Sequence, residues 1–118
     1  AAVLALRWLG SSLQDLSAFP PEVKRVFGHE LREVQKGEMP LGAVLLTQFG
    51  AGVYELKESH DGDAYRSVYI VKLKSAVFVL HAFKKKSKSG KAMPREDIAL
   101  IEQRLKRARE LDAEETKK

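Results

Sequence analysis

Five residues of this chain have the types and spacing to act on a phosphate group: Lys57, Arg66, His81, Lys84 and Lys85. Arg66 interrupts the run Asp-Ala-Tyr-Arg-Ser-Val-Tyr-Ile-Val, and His81 ends a second run, Ala-Val-Phe-Val-Leu-His-Ala-Phe. Both runs are rich in β-branched and aromatic residues, the composition of strands. Strand alternation sets Arg66 with Val68 and Ile70 on one face, and Tyr65, Ser67 and Tyr69 on the other. A guanidinium there has two readings. It is a structural cation paired with Glu55 or a helix acid, or it is a phosphate clamp, since guanidinium matches phosphate bidentately. His81 is either a satisfied strand-end histidine or a proton-transfer group, a role for which imidazole is suited. Lys57 closes the preceding apolar stretch, and Lys84 and Lys85 leave the last run directly. Several cations around one phosphate would stabilise developing negative charge.

Lys84 to Lys91 holds five lysines and no acid, a distribution that attracts polyanions and makes binding salt-dependent. Lys86, Lys88 and Lys91 either track a nucleic-acid backbone or face water. Phe83 and Tyr69 are core aromatics or platforms for a base.

Other chemistries lack their signatures. The 118 residues contain no cysteine, which removes disulfides, thiolate zinc sites and thiol nucleophiles and agrees with a reducing cytoplasm. His29, His60 and His81 lie far apart, and no Gly-rich phosphate loop, His-Glu-x-x-His or Gly-x-Ser-x-Gly is present. Neither a metal nor a cofactor is expected. Apolar runs fall far short of the roughly 20 residues of a membrane span. Arg7 and Trp8 interrupt the apolar N-terminus and no basic region precedes it, so no signal peptide is read. The net charge of +5 is in itself unspecific.

The elements that must position these residues follow from pattern. Val3 to Leu9 reads as a strand. Ser11, with Gln14 three residues on, has the form of a capping box opening a short helix to about Ala18. Pro21 suits the first turn of a second helix, whose stripe is Val23, Val26, Phe27, Leu31 and Val34, and Gly37 is its stop. Glu38 to Gly52 is a connection, with apolar Leu41 to Leu46 expected against the core. Strands follow over Val53 to Lys57, Ala64 to Leu73 and Ala76 to Phe83, with a tight hairpin at Lys74-Ser75. Pro94 opens a last helix with face Ile98, Ile101, Leu105, Ala108 and Leu111, and residues 113–118 read as a polar tail after a single domain of residues 1–112. The order β-α-α-β-β-β-α implies an α+β domain with a small antiparallel-rich sheet and helices packed on one face.

The blocks Trp8-Leu9-Gly10-Ser11-Ser12-Leu13, Val34-Gln35-Lys36-Gly37, Ala64-Tyr65-Arg66-Ser67-Val68-Tyr69 and Leu80-His81-Ala82-Phe83-Lys84-Lys85-Lys86, through Met93-Pro94, resemble the phage-derived HigB-like branch of the RelE toxin superfamily. The resemblance implies a RelE-like fold and the toxin of a type II toxin–antitoxin pair. It also implies a metal-independent endoribonuclease that cuts mRNA on the ribosome through the RNA's own 2′-hydroxyl. The implied partner is a helix-turn-helix antitoxin, through which operator DNA is bound. By position, Arg66 corresponds to the strand arginine on the scissile phosphate, and Lys57 to a basic group orienting the 2′-hydroxyl. Lys84 and Lys85 correspond to the basic segment after the last strand, and His81 lies in a His-x-Phe-x-Lys-Lys motif. Beside this stand two other readings: a non-catalytic module that binds RNA or a regulator, and an inhibitor of another enzyme acting through its sheet surface.

Overall fold

In the computed structural model, which describes residues 3–85 and 93–117, the chain begins with β1 (Ala5–Trp8), α1 (Ser12–Ser17) and α2 (Pro21–Gln35). A short β2 (Val44–Leu45) and a 3₁₀ turn (Thr47–Phe49) lead to β3 (Val53–His60), β4 (Asp63–Ile70) and β5 (Ala76–Lys85), and α3 (Arg95–Thr116) follows. The strands form one sheet in the order β1-β5-β4-β3-β2. The meander β3-β4-β5 is antiparallel, as its short turns require, and β1 joins β5 in parallel. The β3–β4 turn is Asp61-Gly62, with φ of 50° and 81°. Two left-handed residues give the turn whose twist matches paired strands, and glycine takes the second without a Cβ clash.

Helices cover both faces, not one. α3 sets Ile101, Leu105 and Ala108 against Val68, Ile70, Phe78 and Leu80. On the other face α2 sets Val23, Phe27, Leu31 and Val34 against Leu56, Tyr69, Val77 and Val79. The reason is visible in β5. It lies between two strands, and Ala76 to Leu80 are all fully buried, so the run is continuously apolar rather than alternating. Burial of a side chain such as Phe27 or Leu31 stabilises the fold by roughly 1.5–3 kcal/mol each.

α2 begins with Pro21 in its first turn, where the missing N–H costs nothing. It ends as Gly37 takes φ 88°, the Gly37 N–H donating to Val34 and the Glu38 N–H to Glu33. That is a Schellman closure. The Ser11 capping box does not form. The Ser11 hydroxyl donates instead to the Asp15 carboxylate at 2.8 Å.

Three further expectations change. β4 stops at Ile70, and a connection over residues 71–75 replaces the tight hairpin. Asp112, far off in α3, accepts from the backbone N–H groups of Lys74 and Ser75 and from the Ser75 hydroxyl. Despite burial, which acts the other way, those bonds hold the Asp112 carboxyl below its ordinary range. Most of the segment from Leu41 to Leu46 does not pack inward: Leu41 is 97% exposed, and Val44 and Leu45 are also exposed, leaving Ala43 and Leu46 against the core. Its outward position follows from β2, which pairs with β3 at the sheet edge. Finally, the stretch from Ala113 continues α3 to Thr116.

Glu30 sits half-buried on α2, with burial first and then Glu58 and Glu33 pushing its carboxyl from 4.5 up to about 7. Its ionised form is disfavoured in the folded state, so folding stability falls as pH rises from 4.5 to about 7 and stays lowered above it. Glu30→Gln removes this loss. Thermal melts of the two proteins should differ little near pH 4.5 and diverge in favour of the variant by pH 8; a difference independent of pH would refute the assignment.

Candidate active site

Register builds the site. Lys57 of β3 lies opposite Arg66 of β4, and Arg66 lies opposite Phe83 of β5. Directly opposed residues share a face, with Cβ atoms about 5 Å apart. The next row, one step along, is Glu55, Val68 and His81. Both rows face the α3 side, as the alternation at Arg66, Val68 and Ile70 requires.

His81 reaches that face because β5 contains a bulge. Val68 pairs with His81 but Tyr69 pairs with Val79, so Leu80 has no opposing residue. The extra residue shifts the phase of the strand. Leu80 packs in the α3-side core, and His81 stacks on Phe83 with ring centroids 4.7 Å apart. The Leu80 carbonyl accepts from Arg104 Nη1 of α3 at 3.0 Å, and Arg104 Nη2 donates to the Ser11 hydroxyl. Burial lowers the Arg104 pKa, and Asp15 opposes that shift.

A cleft of about 210 Å³ opens over the Arg66 row, walled by Leu46 and Gln48 on one side and by Met93, Pro94 and Ile98 on the other. Glu55, Arg66, Phe83 and Lys85 form its floor and rim. Arg66 Nη1 donates to Glu55 Oε1 at 2.6 Å, and both side chains are largely buried. The structural reading of Arg66 is therefore realised, but only in part: its Nε lies buried without an acceptor among the described residues. This guanidinium lines a cleft flanked by Lys85 and, across the strand pair, the exposed Lys57.

The remaining candidates divide. Lys84 lies opposite Tyr65, which belongs to the α2-side core, so Lys84 projects away from Arg66. Its ammonium meets Asp63 at 3.1 Å, a hydrogen bond that raises its pKa. Tyr69 is buried on that same opposite face, stacked on Tyr54 at 5.9 Å. Burial, then Tyr54 and Glu30, raise its pKa, and its hydroxyl has no partner among the described residues. Phe83 lines the cleft. His81 is 5% exposed, with Nε2 at 2.7 Å from Asp97 Oδ1 and Nδ1 buried and unpartnered. Lys86, Lys88 and Lys91 lie outside the described residues. Two residues that sequence reasoning passed over enter here. Glu55 was legible only as a partner for Arg66, and Asp97 only as a first-turn acid favoured by the helix dipole.

A second, shallower groove of about 500 Å³ shares Phe83, Lys85 and Pro94 with the cleft and runs past His81 and Asp97 to Phe19 and Asp15. Among the described residues, no three His, Asp or Glu side chains are grouped to hold a metal ion, and no helix is long and apolar enough to cross a membrane.

Comparisons with known proteins agree with this architecture. A mutant of the Escherichia coli toxin RelE, in its free state, superposes with a TM-score of 0.60 at 21% identity, over 86% of this chain and 97% of that one. At that identity the likeness speaks for the fold. No curated protein matches in sequence. Residues 14–106 match the family described as phage-derived protein Gp49-like, a span from α1 into α3 that includes every residue of the cleft. The chain thus belongs to the Gp49-like family of phage-derived proteins and carries the RelE-like toxin fold.

Proposed function

We propose that this protein is the toxin of a type II toxin–antitoxin pair and an endoribonuclease that cuts mRNA at the Arg66 cleft, arresting translation. The observation that carries the reading is the Arg66 guanidinium, held by Glu55 in the lining of a cleft beside Lys85. Arg66 lines the cleft with Lys85 and Phe83, and a phosphodiester supplies oxygens in the geometry a guanidinium matches. The likeness of fold to a RelE toxin supports the same reading.

In this reading Arg66 grips the scissile phosphate, and Lys57 and Lys85 flank it. The ribose 2′-hydroxyl gives up its proton as its oxygen bonds to phosphorus. The bond from phosphorus to the 5′-oxygen breaks, and that oxygen takes up a proton from solvent water, leaving a 2′,3′-cyclic phosphate. Glu55 is the one carboxylate lining the cleft among the described residues, and it accepts the 2′-proton. Lys57 orients the hydroxyl and stabilises its developing charge. Holding the 2′-oxygen, phosphorus and 5′-oxygen in line is the larger part of catalysis. Phe83 offers a ring to a neighbouring base. The ribosome is the natural place of action, since it presents extended mRNA, and the partner is an antitoxin of helix-turn-helix type that alone contacts operator DNA. The site of action is the cytoplasm.

A non-catalytic binding module draws on one observation, the engagement of Arg66 by Glu55. It leaves mRNA bound and uncut.

Inducible expression with mapping of mRNA 5′ ends separates the two. The wild-type chain should arrest growth and create new 5′ ends. Arg66→Ala leaves Glu55 buried without its partner, so Arg66→Lys is the better probe: it keeps the charge but not the fork. Cleavage should fall at least about 100-fold in Arg66→Lys, with a melting temperature near that of wild type, and about 10²–10⁴-fold in Glu55→Gln, which melts lower because Arg66 loses its counter-charge. Full toxicity of Arg66→Lys would sink the clamp, and new 5′ ends absent from wild type would sink the nuclease.

A further inference from the structure

The resemblance assigns His81 to a motif of the active segment, and its chemistry suits proton transfer. Its surroundings do not. Nε2 is held by Asp97 at 2.7 Å, Nδ1 is buried, one face of the ring is covered by Phe83, and His81, unlike Glu55, lines the neighbouring groove and not the Arg66 cleft. A general acid or base must come within about 3 Å of the proton it moves. Neither ring nitrogen is open to a substrate lying in the Arg66 cleft.

What His81 does touch is the first turn of α3. Asp97 is the third residue of that helix, after Arg95 and Glu96. Pro94 and Ile98, on either side of that turn, form a wall of the cleft. The helix begins without a side-chain cap, so its start is fixed by other bonds. One is the carboxylate of Asp97 on His81, a hydrogen bond when the ring is neutral and an ion pair when it is charged. The bulge at Leu80 brings His81 to the face where Asp97 waits.

We infer that His81 and Asp97 are positioning residues: their contact clasps the start of α3 to β5 and so sets the wall opposite Leu46 and Gln48, and His81 transfers no proton. This rests on the ribonuclease reading for its kinetic consequence but not for the clasp itself.

The experiment compares His81→Gln, His81→Ala, Asp97→Asn and Asp97→Ala in the full chain. Glutamine carries an amide N–H that reaches Asp97 from the position of Nε2 but does not titrate. Single-turnover cleavage of mRNA, free and on programmed ribosomes, gives the rate constant and the half-saturating concentration separately. His81→Gln and Asp97→Asn should keep the rate constant within about threefold. The two alanine variants should raise the half-saturating concentration about tenfold or more, with little change in rate constant. Amide hydrogen exchange over residues 94–98 should quicken in the alanine variants and be restored in the glutamine and asparagine ones. A loss of about 10²–10⁴-fold in rate constant for His81→Gln, the range expected for a proton-transfer group, overturns the inference. So does exchange over residues 94–98 that is unchanged in Asp97→Ala. A wild-type protein that cleaves no RNA removes the ribonuclease reading, and the exchange comparison then decides the clasp alone.

Discussion

The carbonyl of Leu80 marks the constraint on which the rest of this structure depends. It belongs to the residue that β4 does not pair, and Arg104 reaches it from the middle of α3. β5 has to satisfy two incompatible demands. Over Ala76 to Leu80 it is buried on both faces between β1 and β4. Beyond that it must present Phe83 and Lys85 to a cleft. A bulge changes the phase between those two halves, and it leaves a buried backbone oxygen that needs a donor. Arg104 is that donor, and its other nitrogen ties the same point to Ser11 at the start of α1. The helix that covers the sheet is thus registered against the strand that carries the site.

From this anchor the placement of α3 follows in both directions along its axis. Toward its N-terminus, Asp97 meets His81 and the first turn becomes a wall of the cleft. Toward its C-terminus, Asp112 takes the backbone of Lys74 and Ser75 and closes the connection that β4 and β5 leave open. Between them Ile101, Leu105 and Ala108 fill the core. The polar contacts at Asp97, Arg104 and Asp112 fix position, while the apolar face between them supplies most of the stabilisation.

What was legible in the sequence is what depends on local pattern. The Arg66 alternation held because β4 is regular up to Val68, and the Asp61-Gly62 turn was marked by residues that accept positive φ. Less legible was anything set by a partner distant in sequence. The run from Ala76 to Phe83 is apolar almost throughout, so it carries no alternation from which a bulge could be read. The Asp112 brace lies 37 residues from Ser75, and nothing near Ser75 announces it. The second covered face was missed for the same reason, since a strand buried on both sides looks like any apolar run. Lys84 and Lys85 are adjacent in sequence and therefore turn to opposite faces, a consequence of strand period that treating them as one basic segment hides.

The Glu55–Arg66 pair is the hardest feature to account for by stability alone. Two largely buried charges gain from each other about what they lose in leaving water, and apolar residues of similar size do as well or better. The surrounding positions show that apolar residues are accommodated on this face: Val68 and Ile70 follow Arg66 along the same strand and are fully buried. The pair also leaves the Arg66 Nε unsatisfied, a cost that a purely structural ion pair would be shaped to avoid. In the proposed function, a phosphodiester in the cleft meets the part of the guanidinium that lines it. Binding then recovers a desolvation penalty already incurred in folding, and the guanidinium is held in place before substrate arrives, so little side-chain entropy is lost on binding. On this argument Glu55 serves first as the group that keeps an arginine buried, oriented and incomplete, and that role holds whichever group moves the proton.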